Sequence, residues 1–262
     1  MAKMKRFPLQ GMGIVVTRPA HQAQQLAQLI AAAGGEAILF PALEIIDAAD
    51  VPALNALIAR LDAFDVAIFI SPNAVSKAMN LILARRGWPS RLAIAAIGRG
   101  SKKELERHGV QQVITPQRQF DSEGLLALPR FQDMSGQRVV IFRGEGGRDM
   151  LGDSLIARGA QLEYAECYRR GKPDIDPAPL LQRWARGEVQ AVTVTSSESL
   201  HNLFDLLGKP GQQWLNKTPL FAPHARIAAA AHGLGLEQVV VTEAGDEGLL
   251  MGLIEWRMHG KT

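Results

Sequence analysis

The sequence predicts an α/β protein made of two parallel-sheet domains, and three observations carry that expectation. Short apolar runs of strand length alternate with segments of helical period. The runs tend to end in a polar or glycine-containing turn that opens the next helix, the layout of strands feeding helices on a parallel sheet. The pattern then recurs about 125 residues further on, as an internal duplication would make it.

Taken in order, Gly13 to Val16 is a strand closed by the polar turn Thr17-Arg18-Pro19. Gln25 to Ala33 reads as a helix with Leu26, Leu29 and Ile30 on its inner face, stopped by Gly34-Gly35. Ala37 to Phe40 is a second strand, interrupted at Pro41 and continued by Leu43 to Ile46; Pro52 to Leu61 is a helix. Phe64 to Ile70 is an apolar strand running into Ser71-Pro72-Asn73, a capping serine with proline in the first turn, and Val75 to Ala84 is the helix so opened. Leu92 to Ile97 leads through Gly98-Arg99-Gly100-Ser101 into the helix Lys102 to His108. Val110 to Thr115 reads as a strand, and Asp121 starts a helical turn.

Arg138 to Arg170 reads as a βαβ unit. Val139 to Phe142 is its strand, Arg143-Gly144-Glu145-Gly146-Gly147-Arg148 a glycine-rich turn, and Met150, Leu151, Leu155 and Ile156 recur at helical spacing. Gly159 sits at a helix C-cap, and Gln161 to Tyr168 returns as a strand, where alternation puts Cys167 and Tyr168 on opposite faces. The repeat is read from ordered matches. Val16-Thr17-Arg18 recurs as Ile141-Phe142-Arg143, Ile70-Ser71-Pro72-Asn73 as Thr195-Ser196-Ser197-Glu198, and Gly98-Arg99-Gly100-Ser101 as Pro223-His224-Ala225-Arg226, each 125 residues on. Glu123-Gly124-Leu125-Leu126 answers Glu247-Gly248-Leu249-Leu250 at 124.

Composition narrows the function classes. A chain of 262 residues with 47% apolar content can build one large or two ordinary domains with full cores. The net charge of +3, with acids and bases interspersed, argues against a dedicated nucleic-acid binder. Cys167 is the one cysteine, so neither an internal disulfide nor a cysteine metal cluster can form. The six histidines are scattered without metal-ligand spacing. No apolar run reaches the roughly 18 residues of a spanning helix, and Pro8, Gln10 and Gly11 interrupt the place of a signal-peptide core. A cytoplasmic protein is the expectation.

The polar turns are the candidate site. Thr17-Arg18, Ser71 to Asn73, Gly98 to Ser101, Arg143 to Arg148, Ser196 to Ser199 and Pro223 to Arg226 all lie at the carboxyl ends of predicted parallel strands, where such sheets bind ligands. Backbone N–H groups at glycines and helix starts favour anions there. If both sheets direct these ends at one cleft, six anion-friendly turns gather in it. Arg143 and Arg148 flank three glycines, which suits a carboxylate or phosphate. Gly98-Arg99-Gly100 lacks the third glycine of a dinucleotide fingerprint, since position 103 is Lys, and Gly144 to Arg148 lacks the Lys-Ser/Thr of a P-loop. A tyrosine such as Tyr168 keeps its phenol proton at neutral pH and can give it to a departing hydroxyl.

These residues carry a family resemblance. Val16-Thr17-Arg18-Pro19, Phe40-Pro41, Phe69 to Val75, Ile97 to Ser101, Ser122 to Leu126, Arg143 to Arg148, Tyr168-Arg169-Arg170 and Thr195 to Ser199, in this order and spacing, resemble the uroporphyrinogen-III synthases from about residue 13 to 255. The resemblance implies that the domains are not the sequence repeats. One would hold about 1–40 plus 170–262 and the other 41–169, joined by extended crossing segments near 40–46 and 165–170, with one strand–helix unit exchanged between the halves. It implies conversion of the linear tetrapyrrole hydroxymethylbilane to uroporphyrinogen III, with loss of water and inversion of ring D, without metal or organic cofactor.

In that reaction the ring A hydroxyl leaves to give an azafulvene, ring D attacks to form a spiro intermediate, and the ring recloses inverted. By the same resemblance Tyr168 is the candidate proton donor and Ser101 a second catalytic hydroxyl. Ser71 and Ser197 match carboxylate-binding turns, and Thr17, Arg18, Asn73, Gly98, Arg143, Gly144, Gly147, Arg148 and Ser196 complete the candidate contacts. Some members have Gly-Pro-Thr-Thr where this chain has Ala222-Pro223-His224-Ala225, which leaves His224 or Arg226 as the contact there. The expected substrate is a small molecule and the expected state a monomer, with no nucleic-acid or membrane partner. Two other classes fit less of the chain: a two-domain protein that binds an acidic small molecule without chemistry, and a nucleotide-dependent α/β enzyme.

Overall fold

The computed structural model describes residues 7–147 and 149–259. In chain order the elements are β1 (Gly13–Val16), α1 (Ala20–Ala32), β2 (Glu36–Leu39), β3 (Glu44–Asp47), α2 (Val51–Ala59), β4 (Val66–Phe69), α3 (Pro72–Leu83), β5 (Ala93–Ala96) and α4 (Arg99–Arg107). There follow α5 (Ser122–Leu126), β6 (Arg138–Gly144), α6 (Met150–Ala157), β7 (Gln161–Gly171), α7 (Ala178–Ala185) and β8 (Ala191–Thr193). The chain ends with α8 (Ser197–Asn216), β9 (Leu220–Ala222), α9 (Ala225–Gly233), β10 (Val239–Val241) and α10 (Gly245–His259). It divides into two compact units, residues 1–44 with 171–262, and residues 45–170. The fold is α/β with two mostly parallel sheets, as the strand–turn–helix pattern predicts.

The first unit carries the sheet β10-β9-β8-β1-β2. Numbered within the sheet, that is the doubly wound order 2-1-3-4-5, with its topological switch between β1 and β8. Side chains alternate between its faces. Ile14, Val16, Ala191 and Phe221 pack against α1 and α10 through Leu26, Ile30, Leu249 and Leu253. Val15, Val192, Leu220 and Ala222 pack on the other face with Leu180, Trp184, Leu200, Leu203 and Ile227. In α8, Gly208 at φ +58° breaks the helical path just before Pro210.

The second unit carries the sheet β3-β7-β6-β4-β5. Its β1-equivalent is β6, and the match with the first sheet extends to register. Gly13 faces Glu36 and Ile14 faces Ala191 in one sheet; Arg138 faces Gln161 and Val139 faces Val66 in the other, each 125 residues away. The two glycines of the repeated Glu-Gly-Leu-Leu sequence do the same work. A Cβ on Gly124 would lie 1.8 Å from the Gln119 carbonyl oxygen, and one on Gly248 would lie 2.2 Å from that of Glu243. Each helix start is pressed on the backbone five residues behind it. These correspondences support the duplication read from the sequence.

Several elements differ from expectation. Val110 to Thr115 is not a strand; only Ile114 bridges to Ala95 before Pro116 takes the chain away from the sheet. Helix α1 begins at Ala20 rather than Gln25, and Ala23, Leu26 and Ile30 form its buried face. Ile156 is exposed, because α6 buries Leu151, Gly152 and Leu155 instead. Cys167 and Tyr168 are not on opposite faces. The β6–β7 register slips between Arg143 and Gly144, pairing Arg143 with Glu166 and Gly144 with Tyr168. The extra residue at this bulge brings both side chains into one core.

Candidate active site

The second unit concentrates its polar groups at the carboxyl ends of β4, β5 and β6. The fully buried run Val66–Phe69 anchors β4, and the chain leaves the sheet at Ser71. Ser71 is extended and its side chain accepts the Ala74 N–H at 3.1 Å, with Pro72 in the first turn of α3. After β5, Gly98 occupies the N-cap of α4 without a side-chain cap bond, and Ser101 is buried in the first turn. A Cβ on Gly100 would lie 3.2 Å from the Pro72 ring, so the starts of α3 and α4 abut. Two helix N-termini side by side present backbone N–H groups and the positive ends of two dipoles. Arg99 stacks its guanidinium 4.2 Å over Phe120.

Tyr168 stands beside these helix starts. Its ring is 2% exposed and packs on the bare backbone of Gly144, where a Cβ would come within 2.7 Å of the ring. Its hydroxyl lies 3.1 Å from the Ser71 Oγ. Gly144 at the end of β6, Ser71 after β4 and Tyr168 on β7 thus meet at the switch point of this sheet.

Neighbouring charges are largely paired. Arg143 is buried; its guanidinium donates to Asp149 at 2.8 Å, approaches Glu166 at 3.8 Å and lies 4.4 Å over the Tyr164 ring. Burial first, then the charge of Asp149, pushes the Tyr164 phenol up from its ordinary value. Burial also pushes the Cys167 thiol up to about 12. A cavity of about 350 Å³ is lined by Tyr168 together with Asp50, Glu145, Glu163 and Glu166, with Arg60 bonded to Glu163.

The first unit repeats the layout with other details. Thr17 has no exposed surface; its hydroxyl donates to the Thr193 carbonyl at 2.8 Å, and the Thr193 hydroxyl donates back to the Val15 carbonyl at 3.0 Å. Thr17 thus ties β1 to β8 through its hydroxyl. Arg18 forms an ion pair with Asp246 in the first turn of α10. Ser196 caps α8 by accepting the Ser199 N–H at 3.0 Å, and Ser197 follows it half-buried. His224 and Arg226 are exposed at the start of α9.

Of the remaining candidates, Asn73 is half-buried in the first turn of α3, and Gly147 takes a positive φ of 129° in the glycine-rich turn. Arg148 lies outside the described residues. Among the described residues no group of His, Cys, Asp or Glu is arranged to hold a metal ion, and no helix is long and apolar enough to cross a membrane. Sequence reasoning missed the role of Gly144 as the seat of the Tyr168 ring and Asp246 as the partner of Arg18. A glycine ending a strand beside a tyrosine-bearing strand is the signal that could have shown the first. The second joins residues 228 apart and has no local signal.

Comparison with known proteins decides the family. A family model described as uroporphyrinogen-III synthase HemD matches residues 24–251. The chain belongs to the uroporphyrinogen-III synthase family. Over 246 residues it is 34% identical to the uroporphyrinogen-III synthase of Escherichia coli K12, covering 93% of this chain and 100% of that one. The Salmonella typhimurium synthase is 32% identical with the same coverage. Two solved synthase structures share the fold at low identity. A mutant enzyme from Thermus thermophilus gives a TM-score of 0.58 at 18% identity, covering 95% of this chain and 99% of that one. The Helicobacter pylori enzyme gives 0.59 at 14%, covering 92% and 97%. The synthase family match spans both units and includes the Ser71, Gly144 and Tyr168 positions.

Proposed function

We propose that this chain cyclises hydroxymethylbilane to uroporphyrinogen III, expelling water and inverting ring D, as a lyase that uses neither metal nor organic cofactor. The observation that carries the reading is the match to the E. coli synthase along that protein's whole length. The same reading takes the chain as a monomeric cytoplasmic enzyme of a small-molecule substrate, with no part for nucleic acid or membrane.

The geometry suits the chemistry. The substrate carries eight carboxylates and needs many anion contacts more than one deep pocket. Helix starts at α3, α4, α8 and α9 offer backbone N–H groups at the strand ends. Arg18 and Arg143 each hold a carboxylate of their own unit, so their net pull on substrate is reduced. In this reading the turns at Ser71 to Asn73 and Gly98 of the second unit offer carboxylates their backbone N–H groups, Ser196, Ser197, His224 and Arg226 of the first unit are carboxylate contacts, and Gly147 and Arg148 are further candidates. Tyr168 protonates the departing ring A hydroxyl, and Ser101, in the first turn of α4, is the second hydroxyl. Holding rings A and D in the inverting geometry is the larger task, because the unaided substrate closes without inversion.

The test is incubation of the purified chain with freshly made hydroxymethylbilane, followed by separation of the oxidised isomers. The expected product is type III, formed well above the spontaneous rate. Type I alone, at the spontaneous rate, would overturn the proposal.

A further inference from the structure

The contacts of Tyr168 assign a task to Ser71, and this inference rests on the reading of Tyr168 as proton donor. The Ser71 Oγ sits 3.1 Å from the Tyr168 hydroxyl and accepts the Ala74 N–H at 3.1 Å. A serine oxygen has one proton and two acceptor positions. The Ala74 N–H fills one acceptor position. A phenol that aims its proton at a leaving hydroxyl cannot also donate that proton to Ser71. In the arrangement that reacts, Ser71 is therefore the donor and the Tyr168 oxygen the acceptor.

We propose that Ser71 is a positioning residue that donates its hydroxyl hydrogen to the Tyr168 oxygen, turning the phenol proton toward the leaving group and linking the phenol to the N-terminus of α3. The link has a direction. The Ala74 N–H, at the positive end of the helix, polarises the Ser71 hydroxyl and strengthens it as a donor. When the reaction proceeds, the phenol O–H bond breaks and its proton joins the ring A oxygen. The C–O electrons leave with that oxygen as water. The phenolate then faces a hydrogen-bond donor backed by a helix N-terminus. The proton that ring D loses on regaining aromaticity restores the phenol, so the cycle balances.

Two features separate Ser71 from an ordinary cap. The equivalent Ser196 caps α8 in the same way, but its hydroxyl meets the Ser199 hydroxyl at 3.0 Å, and both tyrosines of the sequence, Tyr164 and Tyr168, belong to the second unit. Gly144 fixes the ring from behind, so the phenol oxygen has little freedom beyond rotation of its proton. Control of that rotation is what remains for Ser71.

The test uses the full chain with Ser71→Gly, which keeps a tolerated N-cap residue but removes the hydroxyl, and Ser71→Thr, which keeps both. Turnover of hydroxymethylbilane is measured alongside the ¹³Cζ signal of Tyr168. The chain has only two tyrosines, so Tyr164→Phe assigns that signal. Ser71→Gly is expected to lower kcat about tenfold or more, the worth of one hydrogen bond to a charged group, with KM little changed and the Tyr168 signal moved. Ser71→Thr should restore both, and Ser71→Gly should cost nothing further in a Tyr168→Phe background. Wild-type kcat in Ser71→Gly, an unmoved signal, a rise in KM alone, or an equal loss in the Tyr168→Phe background would each overturn the proposal. Full activity of Tyr168→Phe defeats the proton-donor reading itself. An impaired Tyr168→Phe beside an unimpaired Ser71→Gly defeats only the role of Ser71.

Discussion

The two switch points of this chain are built to one plan and equipped differently. At β1–β8, Arg18 pairs with Asp246 and Ser196 caps α8; at β6–β4, Arg143 pairs with Asp149 and Ser71 caps α3. Arg18 and Ser196 lie 125 residues from Arg143 and Ser71 respectively. The position matching Tyr168 is Leu43, and the position matching Gly144 is Pro19. Among the described residues, only the second unit has the phenol, the bare backbone that admits it and the bulge that turns it inward. Shared architecture supplies helix starts in both units, while the candidate proton donor belongs to one.

The sharpest way to break that contrast is Gly144→Ala. The added methyl would overlap a buried ring held by its own core, costing about 1–3 kcal/mol of stability. Displacing the phenol by on the order of 1 Å should lower activity by about a hundredfold. Denaturant melts and initial rates check both. Wild-type rates in a stable variant would show that the glycine does not seat the tyrosine.

The arginine pairs should differ in the same sense as their burial. Asp246 is 9% exposed and ties α10 to the β1 turn, whereas Asp149 is 60% exposed and local to Arg143. Asp246→Asn should cost roughly 1–3 kcal/mol of unfolding free energy, as a hydrogen-bonded charge with little solvent loses its partner. Asp149→Asn should cost under about 1 kcal/mol. The reverse order in urea melts would contradict this picture of the two turns.

How much of this was readable in the sequence follows from range. Four-residue apolar runs such as Val66–Phe69 mark buried parallel strands without help from anything distant. Ser71 with Pro72 announces a helix start by local chemistry alone. The repeat is legible because the same local signals recur in order. What failed depended on partners. Val110 to Thr115 has strand-like residues, but only Ile114 finds a ladder position. Alternation misplaced Tyr168 because a bulge leaves no local mark on the strand that carries it. The tie of Thr17 to Thr193, 176 residues away, has no local signal either.

An effect confined to alkaline pH concerns Cys167, whose thiol is pushed up from about 9 to about 12 by burial. The folded state then holds a proton that the unfolded chain releases. Stability contributed by the neutral thiol is complete below about pH 9 and falls as pH rises toward 12, by up to about 1.4 kcal/mol per unit. Cys167→Ala should flatten that slope in melts taken between pH 8 and 10. An unchanged slope would place the alkaline sensitivity elsewhere.

The central claim is that chemistry resides at Tyr168 and not at its counterpart in the first unit. The direct test is the rate of type III formation at saturating hydroxymethylbilane in the wild type and in Tyr168→Phe, with product affinity measured in parallel. A loss of about a hundredfold or more in kcat with product binding retained is predicted. Full type III turnover by Tyr168→Phe would contradict it.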